Sequence, residues 1–291
     1  MVLNIIVLAK QVPDTRNVGK DAMKEDGTVN RAALPAIFNP EDLNALEQAL
    51  RLKEAHPGTT VSLLTMGPSR AADIIREGLF RGADGGFLLS GRAFAGADTL
   101  ATSYALATAV KKIGRYDLIL CGRQAIDGDT AQVGPQVAEK IGLPQVTYAE
   151  EILGIADGKA TVKRRLERGT EVVSCRLPAV VTVNGSAAAC RPRNAKHVQK
   201  YKYARTETEK KEEDGVTFPE LYQNRSYLNI TEWSVDDVQA DTTLCGLSGS
   251  PTKVKKIENV VFQAKENLTL EATDTAIDDL MKELISNHTI G

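Results

Sequence analysis

The 291-residue sequence has no excess of charge of either sign, with 36 lysines and arginines against 38 aspartates and glutamates. A chain so balanced carries no electrostatic footprint for nucleic acid or an anionic membrane, which leaves small ligands and protein partners. It also lacks any run near the roughly 20 consecutive apolar residues of a membrane helix. The start, MVLNIIVLAKQVPD, is too short in apolar residues for a secretory signal before Lys10, so no membrane insertion and a cytoplasmic location are expected. Cysteine is scarce, and Cys121, Cys175, Cys190 and Cys245 stand far apart, in neither CxxC pairs nor zinc or iron–sulfur spacing. His56, His197 and His288 show no HExxH or triad-like arrangement and receive no role. Neither the GxxxxGK[ST] phosphate loop nor the GxGxxG dinucleotide fingerprint occurs.

What is present is an ordinary globular composition, 42% hydrophobic and 25% charged, in a chain long enough to bury a substantial core. Residues 3–9, LNIIVLA, form an apolar run with no alternation, which predicts a strand buried on both faces of a parallel sheet. Similar runs at 61–64, 86–89 and 118–121 alternate with helical periods, which predicts a doubly wound, mostly parallel, Rossmann-like α/β fold. The first helix is the best marked. Asn39 can cap it, Pro40 suits its first position, Glu41 and Asp42 favour the positive dipole end, and Leu43, Leu46 and Leu50 make its apolar stripe. Further helices are expected over 70–81 and over 99–113, the second behind the capping residue Asp98.

From 147 to 184 the pattern turns strand-like, with 160–166, 171–175 and 179–183 divided by Asp157-Gly158 and Arg168-Gly169 turn signals, and an antiparallel addition to the sheet is expected. Residues 191–215, basic and then of mixed charge, read as the start of a linker. The expected organisation is therefore an α/β nucleotide-binding domain over 1–205 and a C-terminal linker and arm over 206–291, with a last helix at 274–285.

The stretch CGRQAIDGDTAQVG at 121–134 lies where a buried strand gives way to a helix, the position at which open α/β sheets bind ligands. Small residues there let the backbone approach a phosphate. The amides of the helix start, the Thr130 hydroxyl and the Gln132 amide can donate to it. Asp127 and Asp129 could be a catalytic carboxylate pair or a magnesium site, but caps and turn formers fit better, since a diphosphate would repel both charges.

The blocks KQVPD at 10–14, FNPEDLNALEQALRLKE at 38–54, MGP at 66–68, RQAIDGDTAQVGP at 123–135 and LPAVVTVN at 177–184 together resemble the electron-transfer flavoprotein beta subunit, in that family's order and across roughly the first 200 residues. The resemblance implies a nucleotide site made by Ala9, Asn39, Pro40, Glu41, Asp42, Met66, Gly122, Arg123, Gln124, Ala125, Ile126, Asp127, Gly128, Asp129, Thr130, Ala131, Gln132, Val133 and Gly134. It implies an FAD there, or AMP in the alternative form of the family. It further implies a heterodimer with an alpha subunit, NADH as electron donor, an acyl-CoA dehydrogenase or related partner docking near 185–200, and ferredoxin as a low-potential acceptor in the electron-bifurcating form. Arg165 and Arg168 make the stretch KRRLERGTEVVSCRLPAVV at 163–181 more basic than the family's pattern. An interaction module that binds no nucleotide is the remaining alternative.

Overall fold

The computed structural model describes residues 1–14, 35–212, 219–252 and 269–290. They fall into two compact units, Met1–Lys256 and Ile257–Gly291. In the first unit the chain runs through β1 (Asn4–Leu8), a small hairpin of β2 (Gln11–Pro13) and β3 (Ala36–Phe38), α1 (Pro40–Ala55), β4 (Thr60–Met66), α2 (Ala72–Arg81) and β5 (Gly85–Leu89). It continues through α3 (Thr99–Ile113), β6 (Leu118–Gly122), α4 (Val133–Ile141), β7 (Gln145–Ala156), β8 (Lys159–Leu166), β9 (Gly169–Arg176) and β10 (Ala179–Val183). After α5 (Ala195–Tyr201), α6 (Glu207–Glu212) and α7 (Pro219–Asn224) comes a last short strand, β11 (Thr231–Trp233).

The nine-stranded sheet has the order β11-β5-β4-β1-β6-β10-β7-β8-β9. β1 is central and parallel to both neighbours, pairing Val7 with Leu63 of β4 and with Leu120 of β6. Its side chains feed two cores. Ile5 and Val7 join Leu46, Leu50, Ile74 and Leu79 of α1 and α2, while Ile6 and Leu8 join Ala109, Val110, Val137 and Ala138 of α3 and α4. A strand with helices on both faces has no polar side to show, which is why its sequence does not alternate. The doubly wound parallel reading is borne out, and Asp98 caps α3 as expected, accepting from the N–H groups of Leu100 and Ala101 at 3.0 Å each.

One strand departs from expectation. Residues 179–183 are not part of an antiparallel addition: β10 runs parallel to both β6 and β7, inside the sheet, and all its residues are buried. The antiparallel addition is β8 and β9 on the second half of the long β7. A run of buried β-branched residues is the same whichever way its neighbours point, so the turn signals before it decided the reading wrongly. The Asp157-Gly158 turn is as the sequence indicates, both residues having positive φ of 50° and 70°. The next turn sits one residue earlier than expected, since Gly169 already opens β9.

Within the stretch read as a linker, 195–201 and 207–212 are helical, and Tyr201, Ala204 and Thr206 are buried; residues 213–215 lie outside the described residues. Beyond 205 the chain returns to the sheet, where β11 pairs in parallel with β5 and Trp233 stacks on Phe87 at 4.7 Å between ring centroids. In the second unit, α8 (Asp274–Ser286) is capped by Thr273 and exposes Ile277, Met281 and Ile285 at four-residue spacing. No described helix is long and apolar enough to cross a membrane.

Candidate functional site

From β1 the chain passes through α1 to β4 on one side, while β6 lies on the other side and leads into α4. The strand order therefore reverses between β1 and β6, which places a crevice outside their carboxyl ends. Ala9 follows β1, Met66 closes β4 and Gly122 closes β6, so these three residues stand at the carboxyl ends of neighbouring strands. The N-terminus of α1 is held at the same end by its own side chains.

Asp42 makes the innermost link. Its Oδ1 accepts from the Gly122 N–H at 2.8 Å and its Oδ2 from the Lys10 N–H at 2.9 Å. Gly122 is required for this approach, because a Cβ there would lie 2.6 Å from Asp42 Oδ1 and 2.7 Å from the Glu41 carbonyl carbon. Burial pushes the Asp42 carboxyl up to about 7, against the pull of the Gly122 and Lys10 N–H groups, the Asn39 side chain and the Lys10 charge. The neighbouring Cys121 thiol is driven up by burial and, secondarily, by the Asp42 charge, which makes it an inert core thiol.

Glu41 and Asn39 hold the loop after β6. Glu41 accepts from Arg123 Nη2 at 3.0 Å and from the Gln124 N–H at 3.1 Å. Asn39 occupies the cap position of α1, but its side chain does not cap the helix. It bridges the loop instead, its Nδ2 donating to the Gln124 carbonyl at 2.9 Å and its Oδ1 accepting from the Ile126 N–H at 3.2 Å. The loop needs those groups more than the helix does, because nothing else among the described residues satisfies them.

The two aspartates are neither a pair nor helix caps. Asp127 accepts from Lys10 Nζ at 2.7 Å, and Asp129 from Gln124 Nε2 at 2.7 Å. The cap position of α4 is Gln132, which makes no capping bond and whose Oε1 accepts from Thr99 Oγ1 at 2.9 Å. Among the described residues, no group of three or more His, Cys, Asp or Glu could hold a metal ion. Asp129 and Ala131 take left-handed φ of 50° and 52°.

Turning there, the loop leaves the backbone N–H groups of Thr130, Ala131, Gln132, Val133 and Gly134 with no acceptor among the described residues. Such a row of amides at an uncapped helix start is a donor set for an anion. Its glycines serve different ends: a Cβ at Gly134 would strike Thr182 and Cys121, so that glycine seats α4 on the sheet, whereas at Gly128 nothing lies within 4 Å. The donor set thus fits the phosphates of a nucleotide. Lys10, which closes the crevice onto Asp127, stands in the KQVPD block but was not expected at the site; a lysine directly after the first strand was its only signal.

A cleft of about 920 Å³ opens elsewhere, beside the β2–β3 hairpin and α2, over Phe38, Leu43, Ile74 and Phe80. Two pairs of its rim charges are spent on one another, Arg76 with Glu209 and Arg193 with Glu77, and it shares only Pro40 with the expected site.

The electron transfer flavoprotein domain model matches residues 26–212, and the chain is 41% identical over 300 residues to the electron transfer flavoprotein subunit beta of Megasphaera elsdenii, covering 99% of this chain and 100% of that protein. The chain belongs to the electron-transfer flavoprotein family, as a beta subunit. It is also 44% identical over 289 residues to the caffeyl-CoA reductase-Etf complex subunit CarD of Acetobacterium woodii, and 40% identical over 291 residues to the acryloyl-CoA reductase electron transfer subunit gamma of Anaerotignum propionicum. Both alignments cover 99% of this chain and 100% of the relative.

In a flavoprotein the flavin carries the redox chemistry, and the protein's part is to bind and position it. The Glu41 contacts give a test of how tightly the loop is held. Replacing Glu41 by Gln turns charge-assisted bonds into neutral ones, a loss of about 1 kcal/mol, so the Gln124 amide should exchange with solvent about fivefold faster. Hydrogen exchange read at that amide checks it.

Proposed function

We propose that this beta subunit holds an FAD, with its diphosphate on the 122–134 loop and the start of α4, and its remaining nucleotide contacts from Ala9, Asn39 to Asp42 and Met66. With an alpha subunit it carries electrons from NADH to an acyl-CoA dehydrogenase-type partner and to a low-potential acceptor such as ferredoxin. The observation that supports this best is the row of unused amides from Thr130 to Gly134 in front of an uncapped helix. When bound, the flavin supplies the redox chemistry, taking a hydride and passing electrons on singly. The chain's own groups bind it and hold the crevice.

The names of two relatives, a caffeyl-CoA reductase complex subunit and an acryloyl-CoA reductase electron transfer subunit, favour a CoA-ester partner. The C-terminal arm, with Ile277, Met281 and Ile285 exposed on α8, is assigned to packing on the alpha subunit. The test is a count of FAD and AMP released by acid from the complex purified with its alpha subunit. Two FAD and no AMP per heterodimer are expected. One FAD with one AMP would make this a structural nucleotide site in an ordinary electron carrier, and no nucleotide in the beta subunit would leave only an interaction module.

A further inference from the structure

The ladder between β1 and β6 ends at Val7 and Leu120. Past it the strands are joined by a side chain, with Asp42 placed between the Lys10 and Gly122 N–H groups. Both carboxylate oxygens are used in this way, and the residue is 6% exposed, so the Asp42 carboxylate is engaged first by the two strand ends. The other contacts between the start of α1 and the 122–134 loop come from Asn39 and Glu41, within three residues of this link.

We propose that Asp42 is a positioning residue of the nucleotide site, which draws the ends of β1 and β6 together while ionised and releases them when its carboxylate takes up a proton. The proposal rests on the nucleotide-site reading above. Its chemistry is that of donor against donor: a protonated carboxyl turns one oxygen into a hydroxyl facing an N–H group, so one of the two links is lost. The titratable and charged groups around it are few. Lys10 stands at the end of β1 with its ammonium drawn to Asp127, Cys121 lies on β6 as a thiol, and Glu41 on its own helix is committed to Arg123 and Gln124. None of these takes over the two N–H groups.

Burial brings the carboxyl up to about 7, so both forms are populated near neutrality. The sign separates two effects. A folded pKa raised above the ordinary 3.8 gives a contribution to fold stability that is full in acid and lost as pH rises through about 7. The hold on the crevice runs the other way, present above that pH and lost below it. Acidification should therefore loosen the site while the contribution of Asp42 to global stability increases, an opposition that a merely structural aspartate would not show.

The experiment uses the purified alpha–beta complex between pH 5.5 and 8.5, reading hydrogen-exchange protection of the Lys10 and Gly122 amides together with the rate of nucleotide release. In the wild type, protection should fall and release should rise on the order of tenfold between pH 8 and pH 6, with a midpoint near 7. In Asp42→Asn both should be flat and already at the loosened level. An infrared titration showing a buried protonated carboxyl, absent in Asp42→Asn, gives the same midpoint even where the variant folds poorly. Protection that does not change with pH in the wild type, or that changes equally in Asp42→Asn, overturns the proposal. Protection that titrates in a beta subunit carrying no nucleotide supports the clamp and sinks the nucleotide reading, so the two fail separately.

Discussion

Replacing Gly122 by alanine should strip most of the nucleotide from the purified complex and destabilise the fold by about 1–3 kcal/mol. The cause is space. The new Cβ would meet Asp42 Oδ1 at 2.6 Å and the Glu41 carbonyl carbon and Cβ at 2.7 Å each. The Glu41 carbonyl carbon is backbone, fixed in the first turn of α1, and cannot swing aside as the tip of a long side chain can. Either β6 or the start of α1 must move, and each movement breaks the Asp42 link and shifts Asn39 and Glu41 away from Gln124 and Ile126. Gly154→Ala, on β7 away from the loop, is the control, because a Cβ there meets nothing within 4 Å and the residue has no positive φ. Denaturant midpoints and nucleotide content of the two variants, measured together, decide the matter. Equal losses from both would mean that the effect does not come from the contact of the loop with α1.

The same contacts show what could be read beforehand. The parallel strands and the start of α1 were legible because each depends on local pattern: apolar runs without alternation, and an Asn-Pro-Glu-Asp start. The roles within that start were not. Asn39 was read as a cap from its position, yet its side chain bridges a loop 85 positions away, at Gln124. Capping preference is local and modest, and a loop with unsatisfied amides outbids it only once the fold brings the two together. Lys10 and Asp127 are 117 positions apart, and only the switch between β1 and β6 makes them neighbours. The direction of β10 was hidden for a different reason, since burial on both faces erases the period that would distinguish it. β11, three residues long, was too short to show a pattern, and its place beside β5 is set by Trp233 on Phe87.

Replacing Glu47 by alanine should cost about 3 kcal/mol of stability and leave nucleotide content nearly unchanged. Glu47 lies on α1 beyond the crevice, with its side chain 7% exposed, and accepts from the Arg191 N–H and Nε at 3.0 Å each and from Arg51 Nε at 3.1 Å. Truncation leaves the Arg191 N–H without its acceptor beside the core and the Arg191 guanidinium with Glu54 as its remaining partner. Neighbouring residues of α1 serve the same side of the sheet: Asn44 donates to the Ala187 and Ala188 carbonyls, and Gln48 accepts from the Ile152 N–H. Burial opposes the ionisation of Glu47, but the hydrogen bonds from Arg191 and Arg51 outweigh it and hold the carboxyl below its ordinary 4.5. Its contribution is therefore present above that pH and lost as pH falls through the lowered value. The stability difference between wild type and Glu47→Gln should accordingly be largest near neutrality and shrink in acid, which chemical denaturation at a series of pH values will show. Asp42 and Glu47 thus share one helix and titrate with opposite consequences for the fold. If Glu47→Ala also empties the nucleotide site, α1 moves as a rigid body and the two ends of its polar face are a single unit. Retained nucleotide with faster exchange at 187–191 would show that the helix holds the crevice and the segment after β10 independently.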